Sequence, residues 1–279
     1  MSRVYRALER IEEKRKKNAK EEPSLKIFEE KTVLSRDDPT LKFPNETEGL
    51  GRPPEEEAPV LIVRPETIAA EEFRKLKTQI FHRLPNPPHF ILVTSTVPQE
   101  GKTMVAVNLA LAISQEIHKK AILIDGDLRK PSIHLEEHPN PKGLSDYLLN
   151  QTPLFEILLN SGEESLQIIP AGSSTRKSAE LIGSRKMSEL FMSLRELRDD
   201  TYVIIDSPPI ISTSEPTLLS KLVDGIILVV MGGRAPKEFV RRAVKSIDRQ
   251  KIIGIVFNKI DMNPSSYYYS KYYYGYYRK

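Results

Sequence analysis

The stretch His89-Phe-Ile-Leu-Val-Thr-Ser-Thr-Val-Pro-Gln-Glu-Gly-Lys-Thr103 decides the fold. An apolar run, His89–Ser95, ends in a polar loop, and the loop closes on Gly101-Lys102-Thr103. A helix-like segment, Lys102–Gln115, follows it. The pattern GxxxxGK[ST] is met except at its first position, where Thr96 stands for glycine. Such a loop turns from strand to helix while several backbone N–H groups converge on phosphate oxygens. Gly101 allows the tight backbone, Lys102 brings a positive charge to the terminal phosphates, and the Thr103 hydroxyl can ligate Mg²⁺.

Downstream, the same architecture recurs twice. Ala121-Ile-Leu-Ile-Asp125-Gly-Asp127-Leu-Arg129-Lys130 is an apolar run opening into two carboxylates and two cations. Tyr202-Val-Ile-Ile-Asp206 is another run ending in a carboxylate. Mg²⁺ is held through one or two carboxylates, waters and nucleotide phosphates. One strand-end aspartate therefore suffices for a metal, and three leave one free to accept a proton from a nucleophile. Further Ile/Val-rich runs stand at Leu166–Pro170, Gly225–Met231 and Ile252–Asn258. Helix-like segments at Ser188–Leu197 and Pro236–Arg249 separate some of them. Continuously apolar strands alternating with helices indicate an α/β fold, a mainly parallel sheet sandwiched by helices, with ligands at the carboxyl ends of the strands.

The flanks differ from this pattern. Residues 1–58 carry 13 basic and 14 acidic side chains, too many charges to bury a core of their own. Within them, Val4, Leu8 and Ile11 recur at helical spacing, and residues 3–20 hold eight basic and three acidic side chains. This is a basic amphipathic helix suited to anionic lipid or a partner, or else a solvated tail. The stretch 37–58 is rich in Pro, Glu and Gly and reads as a linker. At the other end, residues 263–279 hold eight of the chain's 11 tyrosines and no aliphatic core former. Three parts follow: a charged extension over 1–58, an α/β P-loop domain over 59–262, and a flexible tyrosine-rich tail over 263–279.

Among the 279 residues there is no cysteine, which excludes a disulfide scaffold and a cysteine-ligated metal and favours a reducing compartment. The run 225–231 is far shorter than the roughly 18 apolar residues a membrane span needs. The N-terminus lacks the apolar stretch of a secretory signal. A net charge of +4 is too mild to argue for nucleic acid. These observations set the expectation of a cytoplasmic protein without a nucleic-acid partner.

Thr96-Val-Pro-Gln-Glu-Gly-Lys-Thr103, Ile-Leu-Ile-Asp125-Gly-Asp-Leu-Arg-Lys-Pro131, Ile-Ile-Asp206-Ser-Pro-Pro209 and the tyrosine-rich terminus together resemble the Walker A, Walker A′ and Walker B elements and tail of a bacterial tyrosine kinase of the capsule and exopolysaccharide type. The resemblance runs from about Pro65 to the C-terminus and includes Gly143-Leu-Ser-Asp-Tyr-Leu148, Ile169-Pro-Ala-Gly172 and Ala179-Glu-Leu-Ile182. It implies a P-loop NTPase fold of the MinD/ParA-like class, ATP and Mg²⁺ as cofactors, and autophosphorylation of tyrosines between subunits. By the same resemblance Lys102, Asp125, Asp127 and Arg129 are catalytic: Lys102 holds the β/γ-phosphates, and Arg129 neutralises charge on the transferred group. Thr103, Asp127 and Asp206 serve the metal. Asp125 is the candidate base, although Asp125 and Asp127 can exchange roles. Nucleotide contacts fall on Thr96, Val97, Pro98, Gln99, Glu100, Gly101, Lys102, Thr103 and Met104, with Asn258 joining them. The phospho-acceptors are Tyr267, Tyr268, Tyr269, Tyr272, Tyr273, Tyr274, Tyr276 and Tyr277.

Departures from the family pattern are local. Lys177-Ser178 stands where the family has Asn-Pro, and Ser214-Glu215-Pro216 where it has Thr-Asp-Ala. Glu71, Arg74 and Lys77 resemble the family's ExxRxxR oligomerisation motif, with spacing that puts them on neighbouring parts of one helical face. Lys77 replaces an arginine there and cannot form the bidentate fork to a carboxylate. The resemblance further implies a ring-like homo-oligomer, a separate membrane adaptor of the polysaccharide co-polymerase type, a protein-tyrosine phosphatase, and a peripheral position at the inner face of the plasma membrane.

Eight phosphates at roughly −1.5 to −2 each would add about −12 to −16 to a tail that starts at +3 (Lys271, Arg278 and Lys279). That charge is enough to drive like subunits apart, so the expectation is a cycle of ring assembly, phosphorylation between subunits and dissociation. Three other readings compete with this one. A MinD/ParA-like ATPase switch would carry a lysine where Val97 stands. A GTPase is suggested by Asn258-Lys259-Ile260-Asp261 but lacks a DxxG switch after Asp206. A non-catalytic regulator would not need the polar set at Lys102, Thr103, Asp127 and Asp206.

Overall fold

The structure is a computed structural model that describes residues 62–258, apart from 64, 136–139, 162–164, 198–199 and 233–234. The N-terminal basic helix, the linker, the tyrosine tail and the Lys259–Asp261 part of the NKxD sequence lie outside the described residues. All described residues belong to the second of two units into which the chain divides between Val60 and Leu61.

The elements run α1 (Ile68–Arg83), β1 (Phe90–Ser95), α2 (Lys102–Ser114), β2 (Lys120–Asp125), α3 (Leu144–Leu148), α4 (Leu154–Ile157), β3 (Leu159–Asn160), β4 (Leu166–Ile169), α5 (Ser178–Ile182), α6 (Arg185–Arg195), β5 (Thr201–Asp206), α7 (Glu215–Leu219), β6 (Gly225–Met231), α8 (Lys237–Ser246), a 3₁₀ turn and β7 (Ile252–Asn258). Seven strands form one sheet in the order β3-β4-β2-β5-β1-β6-β7. All pair in parallel except β3, which is antiparallel to β4. The expected α/β class is thus the observed one.

The apolar runs became strands because both faces of the sheet are covered. Every residue of β1 is buried. Leu92, Ile122, Ile124, Val203, Ile205 and Leu228 point to one core with α6 and α8; Ile91, Val93, Leu123, Ile204 and Val229 point to another with α2. This alternation along each strand follows from the two-residue period of the pleat. α2 is apolar nearly all round because it lies against the sheet on one side and α1 on another, with Val105, Leu109 and Ile113 fully enclosed. The helix expected from Ser188 begins earlier, at Arg185. The reason is an N-cap: the Ser184 hydroxyl accepts from the Met187 N–H at 3.3 Å. Short α3, α4, α5 and α7 and the two-residue β3 carry too few residues for a periodic pattern, and the sequence does not announce them.

For the site, the decisive feature is register. Asp125 and Asp206 are direct partners across β2 and β5, and Val93 of β1 is the partner of Asp206. β2 and β5 therefore finish at one level, and β1, between β5 and β6, runs two residues beyond it to Ser95.

Replacing Leu123, fully buried on β2, by alanine removes packing on the α2 face without touching that edge. A loss of about 2–5 kcal/mol in unfolding free energy is expected, measured by chemical denaturation.

Candidate active site

The loop Thr96–Gly101 is shaped from inside. Glu100 is fully buried, and its Oε2 accepts the N–H groups of Thr96 (2.7 Å) and Val97 (2.9 Å) while its Oε1 accepts that of Met231 on β6 (3.1 Å). A carboxylate receiving three N–H donors is well compensated for burial. Gln99 and Gly101 adopt left-handed backbone, at φ 66° and 86°. At Gly101 a Cβ would lie 2.0 Å from Asn258 Nδ2, which itself donates to the Glu100 carbonyl at 2.8 Å. Only glycine fits there. Of the expected nucleotide contacts, then, Thr96 and Val97 spend their N–H groups on Glu100, the Glu100 side chain serves as a brace, and Asn258 locks the loop from the last strand. Met104 packs, partly buried, beneath Gly101 against the α2-side core.

The loop delivers Lys102 and Thr103 to the first turn of α2, where they meet the ends of β2 and β5. Thr103 Oγ1 donates to Asp206 Oδ2 at 2.7 Å and lies 3.1 Å from the Ser132 hydroxyl. Lys102 Nζ sits 3.5 Å from Asp206 Oδ2 and 3.8 Å from Asp127 Oδ2. Beyond β5 the chain is laid along β1, with the Ile210 N–H on the Ser95 carbonyl at 2.9 Å and Thr94 Oγ1 on the Pro208 carbonyl at 2.9 Å. The predicted Lys102, Thr103, Asp125, Asp127 and Asp206 are therefore brought together.

Asp125 and Asp127 differ in surroundings. Asp125 is fully enclosed, and its carboxylate accepts the N–H groups of Asp127 (3.0 Å), Ser132 (3.0 Å) and Ile133 (3.1 Å). Burial, and then the charge of Asp206 beside it, push its pKa up to about 7 despite those donors. Burial also raises Asp206, while Lys102 and Thr103 hold it down and Asp127 raises it further. Asp127 is slightly open to solvent; one of its oxygens accepts the Lys130 N–H at 3.1 Å and the other faces Lys102.

The residues fit a magnesium nucleotide. Asp206 Oδ1 is buried with no hydrogen-bond partner among the described residues, so a site for a further ligand exists beside the Thr103 hydroxyl. Among those residues no group of three or more His, Asp or Glu could cage a metal alone. That agrees with an ion held partly by phosphate oxygens.

Arg129 does not lie with this set by contact. Its Nε donates to Ser178 Oγ (2.8 Å) and to Glu215 Oε1 (2.7 Å), and Ser178 Oγ donates to the same Glu215 oxygen. Burial raises Glu215, but the Ser178 and Arg129 bonds outweigh it and its pKa is lowered. The two places where the sequence departs from the pattern it resembles, Lys177-Ser178 and Ser214-Glu215-Pro216, thus meet in one contact. Ser132, Ser178 and Glu215 were missed as site residues; for the last two the departure itself was the available signal. On α1, Glu71 and Arg74 pair at 2.7 Å, but Lys77 turns to Glu116 of the same chain and does not join them. That bond lowers the Glu116 pKa.

No protein-family model matches the chain. Tyrosine-protein kinase YwqD of Bacillus subtilis is 31% identical over 213 residues, which span 75% of this chain and 89% of the relative. The succinoglycan biosynthesis transport protein ExoP of Rhizobium meliloti is 30% identical over 73% of this chain, but the match spans only 26% of ExoP. Among solved structures, the chimerical protein CapA2B2 superposes with a TM-score of 0.64 at 30% identity, covering 71% of this chain and 87% of that one. The cell-division ATPase MinD of Pyrococcus furiosus shares the fold, with a TM-score of 0.53 at 19% identity over 63% of this chain and 73% of MinD.

Two outcomes test this geometry. Gly101→Ala forces a side chain into left-handed backbone and onto Asn258, so nucleotide affinity measured by calorimetry should fall at least tenfold. Asp125 carries a folded pKa near 7 against about 3.9 unfolded. The folded state therefore keeps a proton that the unfolded state has released. The stability it contributes is complete below about pH 4 and is lost as pH rises through about 7. The melting temperature of the metal-free protein in EDTA should fall over that window, and Asp125→Asn should flatten the fall.

Proposed function

The chain belongs to the bacterial tyrosine kinases, and on that premise we propose that it transfers the γ-phosphoryl group of ATP to tyrosines of its own C-terminal cluster, between copies, and so regulates capsule or exopolysaccharide synthesis or export. One observation carries the reading: Lys102, Thr103, Asp127 and Asp206 converge at the carboxyl edge of the sheet, with a buried carboxylate oxygen on Asp206 that has no hydrogen-bond partner among the described residues.

In this reading the tyrosine oxygen forms a bond to the γ-phosphorus, the bond to the β,γ-bridging oxygen breaks, ADP leaves, and the tyrosine proton passes to a carboxylate. Thr103 and Asp206 would hold a magnesium ion, with Asp127 beside it; that ion supplies charge neutralisation on the phosphates. Lys102 brings its charge to the β/γ-phosphates. A tyrosine hydroxyl, with pKa about 10, needs a base at neutral pH. Burial lifts the Asp125 pKa to about 7, but its carboxylate is sealed by three N–H donors, whereas Asp127 keeps slight solvent exposure. Asp127 is accordingly the proposed proton acceptor and Asp125 the anchor that fixes the turn holding it. Arg129 stabilises charge on the transferred group, as P-loop arginines do.

The acceptors are Tyr267–Tyr269, Tyr272–Tyr274, Tyr276 and Tyr277. The oligomer, built partly through the helical face of Glu71, Arg74 and Lys77, presents one copy's tail to its neighbour, and accumulated phosphate charge dissolves it. A membrane protein of the polysaccharide co-polymerase type is the proposed activator and membrane link, supported by the match to one part of ExoP. No helix among the described residues is long and apolar enough to cross a membrane. A protein-tyrosine phosphatase would reset the tail. A MinD-like ATPase switch shares the fold, but it leaves the tyrosine cluster without work and the loop without its second lysine, since Val97 and Pro98 occupy that region.

Mass spectrometry of the 263–279 segment after incubation with Mg-ATP should show phosphotyrosine in the wild-type chain and at least a hundredfold less in Lys102→Met. ATP hydrolysis with no label on the tail would favour the switch reading, and undiminished labelling of Lys102→Met would remove the assignment of this site.

A further inference from the structure

We propose that Glu215 and Ser178 form a buried clamp that positions Arg129 for phosphoryl transfer, a role that rests on the kinase reading above. Glu215 and Ser178 are both fully buried. They stand at the first turns of two different helices, α7 and α5, which pack against each other. A buried carboxylate facing a neighbouring hydroxyl has no reason to reach toward solvent, yet both groups converge on the Nε of Arg129, whose side chain is 46% exposed. The grip is on Nε alone: no hydrogen bond to a described residue involves the two terminal nitrogens of Arg129. The guanidinium is planar, so fixing Nε fixes the plane and direction of those two remaining groups.

The backbone on either side is tied as well. Ser174 Oγ donates to the Arg129 carbonyl at 3.0 Å, and the Thr175 N–H donates to the Leu128 carbonyl at 3.0 Å. Arg129 lies two residues beyond Asp127, on the turn that Asp125 anchors. A long cationic side chain left unheld would lose rotamer freedom each time it met the transferred group. Held by Glu215 and Ser178, it has lost that freedom beforehand, which is how a fixed charge acts on a transition state at least cost. Glu215 would touch no reactant. It acts through Arg129 and is a positioning residue.

The experiment is a double-mutant cycle on full-length protein, reading kcat and KM for ATP in tail phosphorylation, with melting temperature as a folding control. Glu215→Gln should lower kcat about tenfold with KM for ATP within about twofold, because the loss falls on the transition state. In an Arg129→Ala background the same substitution should cause no further loss. Ser178→Ala should repeat the pattern, and it decides the matter should Glu215→Gln not fold. Equal losses in both backgrounds, or no loss in either, would overturn the clamp while leaving the kinase reading intact. Absence of tail phosphorylation in the wild-type chain itself would instead sink the kinase reading, and the clamp with it.

Discussion

A carboxylate with no solvent exposure, Asp206, sits at the end of a central strand, and most of the site exists to make that tolerable. An ionised carboxylate in an apolar interior is expensive unless it is paired and hydrogen-bonded. The partners available are the Thr103 hydroxyl at 2.7 Å and the Lys102 ammonium at 3.5 Å. Both lie on the first turn of α2, so that turn must meet the end of β5. The loop leading to it must then be tight, which demands left-handed backbone at Gly101 and a brace at Glu100. The brace reaches β6 through Met231, and the lock on Gly101 comes from Asn258 at the end of β7. One buried charge thereby ties β1, β5, β6 and β7 to a single loop.

The compensation is incomplete, and the shortfall is informative. Asp125 stands directly beside Asp206 in the register of the sheet, and each raises the cost of ionising the other. Asp206 keeps one oxygen without a hydrogen-bond partner among the described residues. Proteins concentrate such conflicts at functional sites, where a ligand relieves them. Here the missing element is positive charge, which the magnesium ion of the proposed nucleotide complex would supply. At Arg129 the partners come from within the chain, Ser178 and Glu215 holding its Nε before any ligand arrives, although Glu215 too keeps one buried oxygen without a hydrogen-bond partner among the described residues.

Much of the sheet was legible from residue order. Six apolar runs became six strands with ends shifted by a residue or so, because runs such as Ile122–Ile124 can only be satisfied between two covered faces. The short elements were not legible: β3 is two residues of edge pairing, and α5 and α7 are single turns held by neighbours. The candidate site was half legible. Lys102, Thr103, Asp125, Asp127 and Asp206 declared themselves by type and position. That Glu100 turns inward, that Lys77 goes to Glu116, and that Ser178 finds Glu215 across 37 positions depends on distances no local pattern records.

Residue order alone determined the class of fold and the chemistry on offer: where strands end, which of them end in carboxylates, and where lysine and threonine follow glycine at a helix start. These are local facts, set by side-chain period and backbone allowance. The folded chain decided which carboxylate is sealed and which keeps slight exposure, which amides the loop has left to give, and what holds the arginine. Those outcomes depend on burial and on partners distant in sequence, and both come into being only when the sheet closes its register.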